Sequence, residues 1–261
     1  MPEGPEIRRA ADQLAAAIGH GPLRHVEFHL PALARRAGDL VGCRILSIVP
    51  RGKALLTRFD HGLTLYTHNQ LYGVWKVARP GERPETTRTL RVALDTDAAA
   101  LLLYSASDVA LLDDAALARH PFLAKLGPDV LDDTTTAVDV EARLATPAFH
   151  RRRLGALLLD QGFLAGLGNY LRSEILFDAG LQPERRPCDL DDAERRRLAE
   201  ACLALPRSSY RTRGRRGGRY GTAFRFRVFG REGEPCVACG MPIERREIGT
   251  RRLYACPRCQ A

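Results

Sequence analysis

The chain has 261 residues, 40 of them basic and 31 acidic, for a formal charge of +9. That length supports one large domain or two modest ones, each with its own core. No apolar run approaches the roughly 18 residues of a membrane span, and Met1–Arg9 lacks the apolar stretch of a secretory signal, so a soluble protein inside the cell is expected. The charge is concentrated: residues 207–261 hold fourteen arginines against four glutamates, while the remainder carries 26 bases against 27 acids. A polyanion is therefore the expected partner of the C-terminal end.

The opening Met1-Pro2-Glu3 has two readings. Proline is a favourable helix-start residue. Alternatively, trimming of Met1 exposes the Pro2 nitrogen as a secondary amine, able to attack an aldehyde-like carbon and form an iminium. A free α-amino group titrates near about 8, and the positive end of a following helix lowers that value. Glu3 stands beside it as a proton donor. Behind this start, Ile7, Ala10, Ala11, Leu14 and Ile18 form one stripe at helical spacing, which predicts a helix over Pro5–Ile18 ended by Gly19, Gly21 and Pro22.

From Leu23 to Leu112 the pattern turns to short β-rich runs. Strands are predicted at Leu23–His29, Cys43–Pro50, Ala54–Phe59, Leu63–His68, Gly73–Val77, Leu90–Leu94, Ala100–Tyr104 and Val109–Leu112, with a turn at Asp60-His61-Gly62. Eight strands at short spacing predict a β-sandwich or flattened barrel. Only three of the basic residues are lysines, Lys53, Lys76 and Lys125, and lysine, unlike arginine, can release its proton. Lys53 falls in a tight connection between two strands, as a projecting amine or an ordinary solvated one. Asn69-Gln70-Leu71-Tyr72 is either a loop that exposes an amide, an apolar wedge and an aromatic ring to a base stack, or a hairpin turn whose Leu71 and Tyr72 fold into the core.

The breaker-rich stretch from His120 to Asp129 and the polar run Asp132–Thr136 place a domain boundary around 125–137. The expected division is an N-terminal domain over 1–125, a linker over 126–137, a helical domain over 138–222 and a finger over 223–261. Helices are predicted at Asp139–Leu144, Arg151–Gln161, Asn169–Ala179 and Asp191–Leu205, with caps at Asp139 and Asp191. Gly162–Asn169 makes a helix, glycine turn, helix arrangement. It either turns backbone N–H groups outward to meet phosphate, with Asn169 capping the helix or adding an amide contact, or is a plain helical hairpin. Residues 210–222 are low in complexity and basic, and a mobile loop is expected there.

Cys236-x2-Cys239-x16-Cys256-x2-Cys259 has the spacing of a tetrahedral structural site for one Zn2+. Four thiolates leave no open position, so the metal shapes the chain rather than doing chemistry. Between the pairs, Ile243–Ile248 and Arg251–Ala255 predict a β-hairpin carrying Arg245, Arg246, Arg251 and Arg252, whose charge favours nucleic acid over a protein partner. Cys43, Cys188 and Cys202 read as reduced thiols.

These pieces together resemble the formamidopyrimidine-DNA glycosylase/endonuclease VIII family. The resemblance rests on Met1-Pro2-Glu3-Gly4-Pro5-Glu6, Arg51-Gly52-Lys53-Ala54-Leu55-Leu56, Asn69-Gln70-Leu71-Tyr72-Gly73, His120-Pro121-Phe122-Leu123, Gly166-Leu167-Gly168-Asn169 and a finger ending Cys-Pro-x-Cys-Gln, and it covers essentially the whole chain. It implies an α+β chain of two domains: an N-terminal β-sandwich with a flanking helix, and a C-terminal helix-two-turn-helix domain with a zinc-finger β-hairpin. It implies removal of oxidised bases, mainly pyrimidines, from double-stranded DNA, followed by strand cleavage at the abasic site through β,δ-elimination. Pro2 would be the Schiff-base nucleophile, Glu3 the acid that helps open the sugar ring, and Lys53 the residue serving β-elimination. Arg251 would serve δ-elimination and phosphate binding. Gln70, Leu71, Tyr72, Lys125 and Asn169 fall at DNA-contact positions.

Three positions depart from the family pattern. Arg252 directly follows Arg251, so which arginine meets the phosphate is open; Ala255 stands where an aromatic is usual; Lys125 stands where a relative has arginine. The alternatives to this reading are a purine-directed glycosylase on the same scaffold and a zinc protein that only binds damaged DNA. A cytoplasmic, nucleoid-associated monomer is expected.

Overall fold

The computed structural model describes residues 2–212 and 224–260. The chain divides into two compact units: Pro2 with Glu6–Ala124, and Glu3–Pro5 with the chain from Lys125 onward. Among the described residues no helix is long and apolar enough to cross a membrane.

The N-terminal unit begins with α1 (Gly4–Ile18) and continues through β1 (His25–Phe28), β2 (Ile45–Arg51), β3 (Ala54–Phe59), β4 (Thr64–His68), β5 (Val74–Ala78), β6 (Leu90–Asp95), β7 (Ala100–Tyr104) and β8 (Asp108–Leu112). The strands pair antiparallel as two four-stranded sheets, ordered β1-β6-β7-β5 and β2-β3-β4-β8. This is the expected β-sandwich. Strand periodicity decides which side chains meet the core. In β6 and β7, Val92, Leu94, Leu101 and Leu103 enter the main core, while Ala93, Ala100, Leu102 and Tyr104 form a second cluster. The α1 stripe Ile7, Ala11, Leu14 and Ile18 is buried in that same main core, and Thr96 Oγ1 closes the end of the helix by donating to Ile18 O at 2.7 Å. The short helix α2 (Asp114–Ala118) is capped by Asp113, which accepts from Ala116 N.

The C-terminal unit holds α3 (Ala137–Ala145), α4 (Leu154–Leu157), α5 (Asn169–Ala179), α6 (Asp192–Thr212), and the antiparallel hairpin β9 (Glu244–Ile248) and β10 (Arg251–Ala255). Its core joins α3, α5 and α6 to Leu253 and Ala255 of the hairpin. Glu174 is buried and fixes the approach to the finger, because its carboxylate accepts from the backbone N–H groups of Arg227, Val228 and Phe229 at 2.8–3.1 Å.

Several local expectations need correcting. The cap of α3 is Thr136, with Asp139 at the third helical position closing a capping box. The expected helix over 151–161 shrinks to the single turn of α4, because Leu154 N and Gly155 N bond to Arg185 O and Pro183 O, both at 2.8 Å, instead of to a preceding turn. Asp191 does cap α6, accepting from Glu194 N at 2.7 Å, but the helix runs past Leu205 to Thr212. The expected loop therefore does not begin at Tyr210, and the rest of it, from 213, lies outside the described residues.

Candidate active site

In the N-terminal unit, register brings two of the expected positions to the same end of one sheet. β2 and β3 pair through Arg51 and Ala54, leaving Gly52 (φ +60°) and Lys53 as a two-residue connection of the kind that matches strand twist. Ala54 pairs in turn with His68, the last residue of β4. Lys53 is half-buried, and its ammonium is felt at His68: burial first, then Lys53, hold that imidazole below its ordinary pKa against the pull of Asp108. Pro2 is also half-buried and belongs to this unit.

The loop after His68 settles the second open reading in favour of exposure. Its backbone is tied down. Gly73 N donates to Asn69 O at 2.7 Å, Gln70 N to His68 Nδ1 at 3.1 Å, and Arg88 Nη1 to Tyr72 O at 2.6 Å. A side chain at position 73 would stand 2.7 Å from Asn69 Cα and O, so only glycine closes the turn. On this fixed backbone Leu71 and Tyr72 are 58% and 71% exposed. Gln70 sits at φ +47° with its Oε1 accepting from Ser107.

In the C-terminal unit the central finding is Glu3. Its side chain is 3% exposed and accepts from Tyr170 N at 2.8 Å and Leu171 N at 3.3 Å. It therefore satisfies the first orphan donors of α5. Gly168, at the N-cap position, supplies no side chain, and a Cβ there would lie 2.3 Å from Glu3 Cδ. Gly4 N donates to Gly166 O at 2.8 Å. Of the readings left open for this glycine turn, Asn169 as the cap is not what the structure shows: Glu3 takes the N–H groups of Tyr170 and Leu171, and Asn169 is the first helical residue.

Arg172 was not singled out from the sequence and organises the same corner. Fully buried, it donates to Gly155 O at 2.8 Å, Asn169 Oδ1 at 3.0 Å and Arg252 O at 2.8 Å. Burial pulls its pKa down to about 10, opposed by the Glu3 charge and aided by Arg251. Arg172 thus ties Asn169 to the hairpin by hydrogen bonds, while the charges of Glu3 and Arg251 act on it in opposite senses. A sequence signal existed: an arginine three residues after Asn169 on the same helix, where the two side chains share a face. We expect Arg172→Met to destabilise the protein by about 3 kcal/mol or more, since each buried acceptor left unpaired costs about 1–3 kcal/mol. Urea unfolding of the variant beside the wild type checks this; a change under about 1 kcal/mol would mean that solvent or neighbours replace the lost donors.

Arg251 and Arg252 are both exposed and alternate along β10, opposite Ile248 and Glu247. Arg251 shares a face with the buried Leu253. Lys125 is exposed at the end of a short turn, Leu123–Lys125.

The four cysteine sulfurs lie within 4.8 Å of one another, with Cys236–Cys259 at 3.8 Å and Cys239–Cys256 at 3.5 Å. A tetrahedron with Zn–S bonds of about 2.3 Å has edges of about 3.8 Å, so the set fits one structural zinc. Gln260 braces it, accepting from Cys256 N at 2.8 Å and donating to Leu181 O at 2.9 Å.

Residues 1–111 match the formamidopyrimidine-DNA glycosylase N-terminal domain, residues 126–214 the H2TH domain of that glycosylase, and residues 233–261 the zinc finger found in FPG and IleRS. The chain belongs to the formamidopyrimidine-DNA glycosylase/endonuclease VIII family. It is 53% identical over 262 residues to proteins called Endonuclease 8 from Enterobacter sp. (strain 638) and Escherichia coli O17:K52:H18 (strain UMN026 / ExPEC), covering all of both chains in each case. It shares the fold of the LlFpg protein in complex with a THF-DNA and an inhibitor (TM-score 0.84, 21% identity, all of both chains covered). The same holds for Lactococcus lactis Fpg in complex with abasic-site DNA (TM-score 0.83, 21% identity, 99% of both chains covered).

Proposed function

We propose that this protein is a bifunctional DNA glycosylase and abasic-site lyase of base excision repair. It excises oxidised bases, mainly pyrimidines, from double-stranded DNA and cleaves the strand at the resulting abasic site. The observation that carries the reading is the clamp on the N-terminus. Glu3 is held by α5 and Gly4 by Gly166, so the Pro2 nitrogen is one residue from a fixed anchor.

With Met1 removed, that nitrogen attacks the sugar carbon bearing the damaged base. The new C–N bond forms as the bond to the base breaks, and the base leaves with a proton. Glu3 protonates the ring oxygen, the sugar opens, and an iminium joins enzyme to DNA. Loss of a proton from the adjacent carbon expels the 3′ phosphate, a step served by Lys53. A second elimination expels the 5′ phosphate, and hydrolysis frees Pro2. Arg251 serves this second step, because it lies on the Leu253 face and acts electrostatically on Arg172 beside Glu3; Arg252 takes a neighbouring phosphate.

A target base must leave the stack before it can be attacked. Gln70, Leu71 and Tyr72 fill the gap, and the tied backbone means little ordering cost at the moment of insertion. Arg172 holds Asn169 by its carbonyl oxygen, so the carboxamide NH2 is turned the other way and donates to a backbone phosphate. Lys125 adds a further phosphate contact. The functional division is 1–125, a linker over 126–137, a helical DNA-binding domain over 138–222 and a finger over 223–261. The protein acts as a monomer in the bacterial cytoplasm, associated with the nucleoid. Full-length likeness to the Endonuclease 8 relatives supports pyrimidine lesions over purine ones.

Borohydride trapping tests the chemistry. The wild type is expected to give a covalent protein–DNA adduct on duplexes carrying thymine glycol, and less on 8-oxoguanine. Pro2→Gly should weaken trapping and Lys53→Leu should slow strand cleavage. Undiminished trapping and lyase rates in both variants would overturn the assignment. The absence of any adduct would leave a protein that only binds damage.

A further inference from the structure

We propose that Cys43, Asp60 and His61 form a second divalent-cation site, of the zinc class, on the N-terminal unit. The thiol, carboxylate and imidazole ligand atoms all lie within 4.8 Å of one another. They are separate from the four finger cysteines and from every residue given a role in DNA chemistry. Bonds of about 2.0–2.3 Å place tetrahedral ligand atoms about 3.3–3.8 Å apart. Asp60 and His61 are exposed and Cys43 is half-buried, so small side-chain rotations close the set.

The backbone that carries them is already fixed. Cys43 donates to Leu40 O at 3.1 Å and accepts from Leu23 N at 2.8 Å just before β2. Asp60 and His61 sit in the β3–β4 connection, where Asp60 N donates to Arg44 O at 3.0 Å and Phe59 N to Leu63 O at 2.9 Å. The His61 ring leans on the buried Phe59 ring, with centroids 6.1 Å apart. Little ordering is left for a cation to impose, which favours binding.

Electrostatics point the same way. The Cys43 thiol faces Asp60 and lies near Asp39, whose carbonyl accepts from it at 3.5 Å and whose carboxylate pairs with Arg36. A divalent cation offsets the negative charge of the Asp60 carboxylate beside the thiol and displaces the thiol proton to solvent. Sulfur, imidazole and carboxylate together suit zinc rather than magnesium or calcium. Three protein ligands leave a fourth position for water, unlike the closed finger.

The test is a Co2+ titration of the full chain with zinc in its finger, followed by the thiolate-to-cobalt absorption band and by metal stoichiometry. One further equivalent of Co2+ and a thiolate band are expected. Both should be lost in Cys43→Ser and in His61→Gln, while each variant keeps one equivalent of finger zinc. No band in the wild type overturns the site. A band unchanged in Cys43→Ser also overturns it, since that signal belongs to exchange at the finger, and so does a full extra equivalent retained in His61→Gln.

Discussion

Glu3→Gln is expected to lower base excision by about 10²–10⁴-fold, the usual worth of a positioned acid–base group, while largely sparing cleavage at a preformed abasic site. The split follows from what each reaction needs. Excision requires a proton at the sugar oxygen as the base departs. An abasic site has already lost its base and offers an aldehyde to the Pro2 amine directly. The variant remains a fair test because glutamine keeps an acceptor for Tyr170 N, whose bond to Glu3 is 2.8 Å. What it loses is the negative charge at the start of α5, worth about 0.3–2 kcal/mol, and the longer bond from Leu171 N to Oε2 at 3.3 Å, which an amide NH2 cannot accept. Glu3→Ala is a poorer probe: it strands two buried N–H donors, at about 1–3 kcal/mol each, so its loss of activity mixes chemistry with a loosened N-terminus. Excision of thymine glycol, lyase activity on an abasic duplex and a urea melt, run on both variants, separate the effects. Equal loss of excision and lyase activity in Glu3→Gln would show that Glu3 only holds Pro2 in place.

The same residue shows how far the sequence could be read. The strand runs of β6 and β7, the α1 stripe and the cysteine spacing are local patterns, and the structure repeats them almost residue for residue. Glu3 on α5 joins residues 167 apart in the chain. Capping rules look for an acceptor at the N-cap position itself, so they chose Asn169 and left the helix start open to phosphate. The short α4 failed for the same reason. Its pattern is helical, but its first N–H groups find carbonyls at Pro183 and Arg185, partners that no window of adjacent residues contains. Arg172 lies on a helix, where an arginine normally marks a solvated face. Here it is buried against Gly155, Asn169 and Arg252, three segments that meet only once the chain is folded.

Replacing one finger ligand, Cys256→Ser, is expected to remove bound zinc and weaken DNA binding while leaving the helices of the C-terminal unit in place. Structural zinc contributes an apparent ~10–16 kcal/mol in isolated fingers, more than the small cluster of Phe177, Val228, Ile243 and the cysteines could hold together without metal. The hairpin would then fray from its metal end. Leu253 and Ala255 remain able to pack with α5 and α6, so helix content should change little and the damage should be local, visible as protease cleavage within 233–260. The DNA effect comes through Arg251 and Arg252, which the hairpin presents and which Arg172 steadies through Arg252 O at 2.8 Å. Each lost phosphate contact lowers the slope of log affinity against log salt by about 0.9. The wild type should therefore show a steep slope, and Cys256→Ser a shallower one close to that of Arg251→Ala with Arg252→Ala, which keeps its zinc. Stoichiometric zinc in Cys256→Ser, or a salt slope identical to the wild type in a zinc-free protein, would remove the finger from the account of DNA binding.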